Sequence, residues 1–205
     1  MKILIFGIKS SAKIISEILI EDHNFKVAGF IGSDQENKKS YNKKIFNNLY
    51  FLGTLKNVKN IIKKDPEIVG FILGTSNLRI KEEIYYNFEK FNLHPINAIS
   101  KKSDISPHAK IGKGVVVGKN SIILAEAEIA NNVYIGSNST IENSVIISNN
   151  SSVGSNCVIG SNVEIGRGVK ISAGAKILSQ VRIGKNQFIK VGQVVDKDLP
   201  DKIRS

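Results

Sequence analysis

The chain contains one cysteine, four prolines, three histidines and no tryptophan. With Cys157 as the only thiol, an intramolecular disulfide is excluded and a reducing compartment is allowed. No run of eighteen consecutive apolar residues occurs, and the opening MKILIFG has the pattern of a strand rather than of a signal peptide. We therefore expect a cytoplasmic protein without a membrane-inserted segment.

An excess of acidic residues is also missing, since the formal net charge is +11. The chain has 17 Lys/Arg against 11 Asp/Glu before Ile105 and 12 against 7 from there on, so neither half stands out. Aromatic residues are not interleaved with the lysines, and no nucleic-acid-binding motif occurs. We expect no nucleic-acid partner, and the charge suits small ligands that carry phosphate.

The second half of the chain has a period of six residues. From Ile105 to Val195, isoleucine or valine occupies every sixth position without exception. This period fits neither the 3.6 residues per turn of an α-helix nor the two of a flat strand, so the chain must turn a corner once per hexad. The pattern predicts a β-helix.

Two other positions of the hexad support this prediction. Four residues after each Ile or Val the side chain is usually small, as at Ser121 and Ala127, which leaves room beside stacked isoleucines. Three residues after it, Asn or Gly is usual, and these residue types best tolerate a positive φ. The predicted corner residues are Gly114, Asn120, Asn132, Asn138, Asn150, Asn156, Asn162, Gly168, Gly174, Asn186 and Gly192.

The first hundred residues have a different pattern, that of alternating strands and helices. Apolar runs predict strands at residues 2–7, 26–31 and 68–73, with a further short run at 96–99. One apolar helix face follows the first strand, and another follows the third. The predicted fold is a small Rossmann-like α/β domain. The helix faces are formed by Ile14, Ile15, Ile18 and Leu19, and by Ile80, Ile84, Phe88 and Phe91.

Residues 35–48 are rich in Lys and Asn, and their few apolar residues are too sparse to indicate a strand. We expect a mobile loop here, which in the ordinary case is a spacer. The two domains join between His94 and Asp104, because the residue before Pro95 disfavours helix and the hexads begin just afterwards. The predicted domains are residues 1–98 and 99–205.

The hexads resemble those of the hexapeptide-repeat transferases, whose left-handed parallel β-helix has three hexads per triangular coil; roughly five coils would follow. Together with the first domain, the chain is similar to the sialic acid and bacillosamine acetyltransferase group, bacterial enzymes that acetylate sugars for surface glycans. The segments that carry this second resemblance are Ile72-Leu73-Gly74-Thr75-Ser76-Asn77-Leu78-Arg79 and residues 98–107, where the first coil begins.

The resemblance implies an activity. In this group the first domain binds the sugar nucleotide, acetyl-CoA lies along the β-helix, and the active site forms between neighbouring subunits of a trimer. It implies a homotrimeric, acetyl-CoA-dependent sugar N- or O-acetyltransferase that acts on a nucleotide-linked amino sugar or a sialic-acid-like sugar and needs no metal. An amine acceptor is favoured over a hydroxyl, because an amine loses its proton more easily when the base is poor.

The candidate substrate site lies where the first strand ends in glycine, because backbone N–H groups at the following helix start can approach a phosphate closely. Of the several glycines and the histidine usual in this group's loop, only Gly7 is present. Lys9 and the two serines after it could still donate to phosphate, although a plain strand-to-helix turn also explains the loop. Asp34 is either a ribose or base contact or a loop acid. The candidate substrate residues are Gly7, Lys9, Ser10, Ser11, Asp34, Gly74, Asn77 and Arg79.

The resemblance also implies a place for the acyl transfer. In this group a histidine acts as general base, taking a proton from the sugar amine or hydroxyl as it attacks the thioester. Counting hexads puts that position at Asn143, which cannot act as a base near neutral pH. The acidic residue that usually follows is replaced by Ser144, whereas Glu142 is retained. Asn143 and Glu142 are the candidate catalytic residues.

Several interpretations of Asn143 remain open. It could orient a sugar amine that enters partly neutral, so that Glu142 or water suffices as the base; the reacting site could have shifted; or the protein could be a catalytically silent binding or scaffold protein for a nucleotide sugar. As a polar corner residue, Asn143 also needs no function. The histidines offer no replacement, because His23 belongs to the first domain, His94 to the join and His108 to the first corner.

For coenzyme A the resemblance implies small residues and backbone groups of the later coils, although corner geometry alone also explains each of them. The group's C-terminal Gly-x-Pro-Ala-Lys segment is absent here, and Lys190, Lys202 and Arg204 could instead contact the phosphates. The candidate cofactor residues are Gly160, Ser161, Ala173, Gly174 and Gly192.

Overall fold

A computed structural model describes residues 1–34, 36–37 and 42–203. The chain divides into two compact units, Met1–Ala98 and Ile99–Ser205. Five residues of the predicted loop, 35 and 38–41, and the candidate phosphate contact Arg204 lie outside the described residues.

The first unit is built on one six-stranded sheet. Its strands have the spatial order β3-β4-β2-β1-β5-β6, and all neighbouring pairs are parallel except β3 and β4. The central strands are buried along most of their length, as in a parallel sheet covered on both faces. The strands are β1 Lys2–Phe6, β2 Lys26–Gly32, β3 Lys44–Phe46, β4 Leu49–Thr54, β5 Ile68–Leu73 and β6 His94–Pro95.

Helices connect the strands of this sheet. Apolar side chains from helix and sheet form a core in which the rings of Phe71 and Phe88 stack with centroids 4.4 Å apart. The helices are α1 Ser10–Glu17, which continues as a π-helical turn Ile18–Asp22; a 3₁₀ turn Leu55–Asn57; α2 Val58–Lys64; and α3 Leu78–Lys90.

Three parts of this unit differ from the prediction. The loop predicted over residues 35–48 contains strand β3, which pairs with β4 as a hairpin. Asn47 and Asn48 both have positive φ angles, 46° and 59°, the combination that a two-residue type I′ turn requires. Strand β4 and helix α2 were not predicted, and the short run at 96–99 is a strand only at Ala98–Ile99, with His94–Pro95 pairing with β5 instead.

The second unit consists of two-residue strands that recur every six residues. Each pairs in parallel with the strand eighteen residues further on, as in Ile122↔Thr140 and Ile123↔Ile141, so the strands stack into three sheets. This stacking fits the left-handed β-helix of hexapeptide repeats. The strands are β7 Ala98–Ile99, β8 Asp104–Ile105, β9 Lys110–Ile111, β10 Val116–Val117, β11 Ile122–Ile123, β12 Glu128–Ile129, β13 Tyr134–Ile135, β14 Thr140–Ile141, β15 Ile146–Ile147, β16 Ser152–Val153, β17 Val158–Ile159, β18 Glu164–Ile165, β19 Lys170–Ile171, β20 Lys176–Ile177, β21 Arg182–Ile183, β22 Phe188–Ile189 and β23 Val194–Val195.

The hexad positions behave as predicted. The second residue of each strand from Val117 to Val195 is buried, and the small residues four positions later, such as Ser121 and Cys157, are buried with it. Every predicted corner residue has a positive φ, which confirms the corners. The same conformation occurs at Glu126, Ser144 and Gln180, where neither Asn nor Gly is present.

The last residues extend one sheet of the β-helix by a further rung. Leu199 forms a parallel bridge with Ile183, and its backbone N–H donates to the carbonyl of Arg182 at 2.9 Å. Asp198 and Asp201 accept hydrogen bonds from the backbone N–H groups of the preceding coil at 2.8 Å. Over the ranges that the structure describes, no helix has the length and hydropathy needed to cross a membrane.

Candidate functional site

A cavity of about 490 Å³ opens at the carboxyl ends of β1, β2 and β5 in the first unit. Strand β1 lies between β2 and β5, so the chain leaves β1 toward one side and returns on the other. At such a switch point the connections diverge and leave a crevice at the strand ends. The cavity is lined by Phe6, Gly7, Ile8, Lys9, Ser11, Ser33, Glu36, Gly74, Thr75, Ser76, Asn77 and Ile80.

Two glycines let the backbone pack closely at the base of this cavity. Gly7 has a φ of +109°, and a Cβ added there would lie 2.7 Å from the carbonyl oxygen of Gly74. A Cβ on Gly74 would in turn lie 2.8 Å from the Cα of Ala12 in α1. The ends of β1 and β5 and the first turn of α1 are therefore in backbone contact, with no room for a side chain.

The cavity has positive electrostatic character from its backbone. Helices α1 and α3 both begin beside it, and neither has an acidic residue in its first turn. Lys9, at the N-cap of α1, makes no capping hydrogen bond with its side chain, so N–H groups at this helix start remain open. Helix N-termini favour anions, and the Lys9 ammonium adds a full charge.

Asn77 has a structural task at the start of α3. Its Oδ1 accepts a hydrogen bond of 3.2 Å from the backbone N–H of Ile80, and its own N–H donates to Thr75 Oγ1 at 3.2 Å. The Asn77 side chain thus caps α3. Its amide nitrogen makes no hydrogen bond to the residues that the structure describes, so this part of the side chain is left for a ligand.

An acidic residue, Glu36, also lines the cavity. Glu36 Oε2 accepts hydrogen bonds from the backbone N–H and the hydroxyl of Ser33 at 2.8 and 3.0 Å, and Ser33 Oγ accepts one from the Glu36 N–H at 3.3 Å. This is the reciprocal pattern of a capping box. It fixes the Glu36 carboxylate at the cavity wall, where it can accept hydrogen bonds from hydroxyl groups of a ligand.

The structure brings together part of the predicted substrate set. Gly7, Lys9, Ser11, Gly74 and Asn77 line the cavity, whereas Ser10 and Arg79 are not among its lining residues. Asp34 is also outside the lining, and its exposed carboxylate pairs with Lys56 at 2.7 Å. Sequence reasoning missed the polar lining residues Ser33, Glu36, Thr75 and Ser76. Ser33 and Glu36 could have been found from the spacing Ser-x-x-Glu directly after β2, which is the sequence pattern of a capping box.

The candidate catalytic residues lie on the β-helix in a stack of corners that we call the Asn143 column. It comprises residues 124–127, 142–145, 160–163 and 178–181, each following a strand of the same sheet. Gly160 and Ser161 belong to this column together with Glu142 and Asn143. Ala173, Gly174 and Gly192 belong to another corner stack, so the predicted cofactor residues form two groups.

Hydrogen bonds between coils surround Asn143. Glu142 Oε2 accepts bonds from the backbone N–H and hydroxyl of Ser161 at 2.9 and 2.8 Å, and Ser144 Oγ donates to Glu126 Oε2 at 2.8 Å. The Asn143 side chain is exposed and makes no hydrogen bond within the described part of the chain. Its amide group is therefore open to a ligand. The preceding residue, Glu142, has a fixed carboxylate, and the following residue, Ser144, holds the carboxylate of Glu126.

The glycines of the β-helix differ in what they permit. A Cβ on Gly160 would lie 2.6 Å from the backbone nitrogen of Ser179 in the next coil, so coil stacking alone requires a glycine there. A Cβ on Gly192 would meet nothing within 4 Å. Only the second position leaves open surface where a ligand could approach the backbone.

Charge is unevenly distributed along the β-helix, which the totals for each half conceal. No Lys or Arg occurs between Lys119 and Arg167, a stretch that contains Glu126, Glu142 and two further glutamates. From Arg167 onward there are nine Lys/Arg against three Asp/Glu. The middle coils are therefore acidic and the last coils basic.

Among the residues that the structure describes, two buried titratable groups have perturbed pKa values. Burial lowers the pKa of Lys81, on α3, to about 8 from its ordinary 10.5. Burial also raises the pKa of the Cys157 thiol, whose Sγ lies 3.1 Å from the carbonyl oxygen of Ser172 inside the β-helix. Cys157 is thus a core residue with an unreactive thiol.

The repeats of the second unit also match a known family model. Residues 108–143 and 144–179 match the family model for bacterial transferase hexapeptide, six repeats each. The matched residues are the part of the second unit in which the structure shows two-residue strands every six residues. No curated protein matches the chain.

Solved structures share the fold over nearly the whole chain. A His-to-Asn mutant of perosamine N-acetyltransferase from Caulobacter crescentus, in complex with CoA and GDP-perosamine, is 20% identical, covers 99% of this chain and 92% of its own, and has a TM-score of 0.89. The acetyltransferase domain of PglB from Neisseria gonorrhoeae, in complex with acetyl coenzyme A, is 20% identical over 98% of this chain and 93% of its own, with a TM-score of 0.84. WeeI from Acinetobacter baumannii is 18% identical over 98% and 94%, with a TM-score of 0.59.

Proposed function

We propose that the chain is an acetyl-CoA-dependent sugar acetyltransferase that transfers an acetyl group to the amino group of a nucleotide-linked sugar, with N-acetylation favoured over O-acetylation. The observation that carries the proposal is the pairing of an anion-binding cavity at the switch point of an α/β sheet with a hexapeptide β-helix. The similarity in fold to sugar N-acetyltransferases that bind CoA and GDP-perosamine supports it.

The first unit is, in this proposal, a Rossmann-like sugar-nucleotide-binding domain. The diphosphate would bind between the starts of α1 and α3, close to Lys9, where backbone N–H groups and a full positive charge favour it. The hydroxyls of the ribose or sugar would donate to Glu36. The cavity volume of about 490 Å³ falls within the range usual for a small-molecule site.

Acetyl-CoA would lie on the second unit. The phosphates of coenzyme A are strongly anionic, and the basic last coils, which include Lys176 and Lys190, match that charge. The acidic middle coils repel phosphate and suit the neutral thioester end. This distribution orients the molecule along the β-helix, with its reactive carbonyl at the Asn143 column.

The chemistry is attack of the sugar amine on the thioester carbonyl carbon, with loss of the coenzyme A thiolate. Asn143 would donate a hydrogen bond to the carbonyl oxygen or hold the amine, since its amide is exposed and carries both donors and an acceptor. Glu142 is held by Ser161 and keeps the corner fixed. In the perosamine relative, a protein with His replaced by Asn still holds both CoA and GDP-perosamine.

We further propose a cytoplasmic homotrimer in surface-glycan biosynthesis. A β-helix leaves its sheet faces open, and apolar side chains such as Ile122 and Val158 project from one of them. A second copy of the chain would cover such side chains. Light scattering should give three times the chain mass, and a monomer would remove the shared active site that a trimer provides.

The test is acetyl transfer by the purified protein. Acetyl-CoA is mixed with a panel of nucleotide-linked amino sugars and sialic-acid-like sugars, GDP-perosamine among them, while free CoA thiol and product mass are followed. An acetylated sugar is expected. Asn143→His should raise the rate by restoring a general base, by about 100-fold where proton transfer limits it. Lys113→His, at the same hexad position of another corner stack, is the control, because the exposed Lys113 side chain makes no hydrogen bond within the described residues, and it should leave the rate unchanged.

A second candidate is a catalytically silent nucleotide-sugar-binding or scaffold protein. The exposed amide at Asn143 favours it, because an asparagine accepts no proton near neutral pH. Thermal shift separates the two functions. Stabilisation by a nucleotide sugar but not by CoA, together with no product from the panel, would favour the silent protein.

A further inference from the structure

The Asn143 column differs from the other corners of the β-helix in its backbone. Among the described β-helix residues with a positive φ, all are Asn or Gly except three. These three, Glu126, Ser144 and Gln180, lie in the Asn143 column. Such side chains are disfavoured in the left-handed region of φ and ψ, where Asn and Gly are preferred. The Asn143 column therefore carries a carboxylate, a hydroxyl and an amide at positions where the backbone favours Asn or Gly.

Glu126 uses its side chain to reach the next coil. Its φ is 63°, and its Oε2 accepts a hydrogen bond of 2.8 Å from Ser144 Oγ. Ser144 directly follows Asn143. The bond therefore holds the Glu126 carboxylate against the residue next to the exposed amide of Asn143. The Oε1 atom of Glu126 makes no hydrogen bond within the described residues, and the residue is exposed.

Glu142, on the other side of Asn143, is held differently. Both donors of Ser161 bond to Glu142 Oε2, which joins two coils and leaves the residue half-buried. Of the two carboxylates, Glu142 is the more fully engaged in the structure. In both residues Oε1 makes no hydrogen bond within the described residues, but Glu126 is exposed whereas Glu142 is half-buried, so the Glu126 carboxylate is the more accessible to a ligand.

We propose that Glu126 is the proton acceptor of the acetyl transfer and that Ser144 is its positioning residue; this inference rests on the proposed function. The amine nitrogen forms a bond to the thioester carbonyl carbon, and the carbon–sulfur bond breaks to release the thiolate. The proton lost by the nitrogen passes to the Glu126 carboxylate. The resulting carboxylic acid protonates the thiolate, which gives free CoA, the N-acetyl sugar and the original carboxylate.

The test is the rate of Glu126→Gln with acetyl-CoA and the acceptor of the panel that wild type acetylates fastest. Glutamine keeps the size of the side chain. A glutamine, Gln180, already occupies the same corner position in another coil, so the fold should tolerate the substitution. We expect kcat to fall by about 100-fold or more, with little change in either KM and in the unfolding temperature.

Two further variants separate catalysis from structure. Ser144→Gly suits the left-handed backbone and removes only the hydroxyl, so kcat should fall by about tenfold while the fold keeps its stability. Glu164→Gln removes an equally exposed carboxylate on an outward strand position and should leave the rate unchanged. Adding Asn143→His to Glu126→Gln should recover part of the lost rate, which a purely structural defect would not allow.

The outcomes distinguish this inference from the function on which it rests. If wild type acetylates a sugar and Glu126→Gln does so at the same rate, Glu126 is not the acceptor, while the acetyltransferase function stands. A slower Glu126→Gln that also unfolds at a clearly lower temperature and is not rescued by Asn143→His would assign the residue a structural role. No product from any acceptor with wild type would overturn both proposals.

Discussion

The two units bring their functional groups together by different means. In the β-helix, side chains that meet are eighteen or nineteen residues apart, as in the hydrogen bonds that Ser144 donates to Glu126 and Ser161 donates to Glu142. In the α/β unit, the cavity combines the ends of three strands, represented by Gly7, Ser33 and Gly74, which are distant in sequence. The site on the β-helix is built by stacking the same corner of successive coils, whereas the cavity is built where three strands of one sheet end.

This difference determines which substitutions each site tolerates. A corner of the β-helix projects side chains outward, so it can exchange Asn for Glu126, Ser144 or Gln180 without disturbing the stacked core. The cavity of the first unit is made largely of backbone at Gly7, Gly74 and the helix starts, where an added Cβ has no space. The repeat can therefore vary its side chains at low structural cost, whereas the base of the cavity in the α/β unit cannot accept a side chain.

The largest expected effect tests whether each coil depends on its inward residue. Ile147 is fully buried and the adjacent Ile146 is 43% exposed. Ile147→Ala should reduce the free energy of unfolding by about 2–5 kcal/mol because it leaves a cavity in the stack. Ile146→Ala should cost less than about 1 kcal/mol. Urea unfolding followed by circular dichroism measures both. Equal losses in the free energy of unfolding would show that the Ile146 side chain is also buried in the folded protein. The stability of the coil would then not depend on the inward side chains alone.

The next prediction concerns the α/β unit, which tolerates a buried lysine. The pKa of Lys81 is about 8 in the folded chain and is near 10.5 when the chain unfolds. Between these values the unfolded chain binds the additional proton, so stability should rise with pH from 8 to 10.5, by about 3 kcal/mol in all. Below pH 8 both states are protonated and the dependence ends.

The matched variant for this prediction is Lys81→Met. It keeps an unbranched side chain and removes the ammonium, so the rise in stability between pH 8 and 10.5 should be lost. Denaturant unfolding at pH 7, 8, 9 and 10 compares the two proteins, and the difference between their slopes removes the contribution of other titrating groups. Parallel pH profiles would contradict the burial of the Lys81 ammonium.

A third prediction compares glycines in the two units. Gly7→Ala places a Cβ 2.7 Å from the Gly74 oxygen at a φ of +109°, and should cost about 1–3 kcal/mol of stability. It should also abolish stabilisation by nucleotide sugars, because the base of the cavity must move. Gly192→Ala has a positive φ but open space, and should cost only about 1 kcal/mol. Thermal unfolding with and without nucleotide sugar measures both effects. Retained nucleotide-sugar binding in Gly7→Ala would place the site elsewhere.

The repeat made the second unit predictable in detail. Its period, its inward isoleucines and its Asn and Gly corners follow from packing between identical neighbours, and the structure confirms each. In the first unit, the strands β1, β2 and β5 were predicted because they are continuous apolar runs. Strand β3 was not, because Lys44–Phe46 is too short to be recognised and depends on pairing with β4.

The candidate sites were predictable to a smaller extent. The glycines at the ends of β1 and β5 mark the cavity, but Glu36 becomes part of its wall only through the fold of the chain after β2. Asn143 was singled out by the resemblance to the acetyltransferase group, whose base position a count of hexads carried over to this sequence. Glu126 was not, because only the eighteen-residue pairing shows that its carboxylate reaches Ser144. Because the coils stack regularly, the eighteen-residue spacing predicts which residues of neighbouring coils are in contact.

The smallest expected effect tests whether unusual corner residues cost stability. Gln180 has a φ of 68° and is exposed, so its side chain gains little from the fold. Gln180→Gly should raise the free energy of unfolding by about 0.5–1 kcal/mol, because glycine relieves the left-handed strain although it loses more backbone entropy. Asn162→Gly, at the same hexad position of the Asn143 column with a φ of 59°, should change stability little, since asparagine already tolerates this region and the exposed side chain makes no hydrogen bond within the described residues. Chemical denaturation of both variants measures the difference; a loss of stability in Gln180→Gly would show that the glutamine side chain contributes contacts that outweigh its backbone.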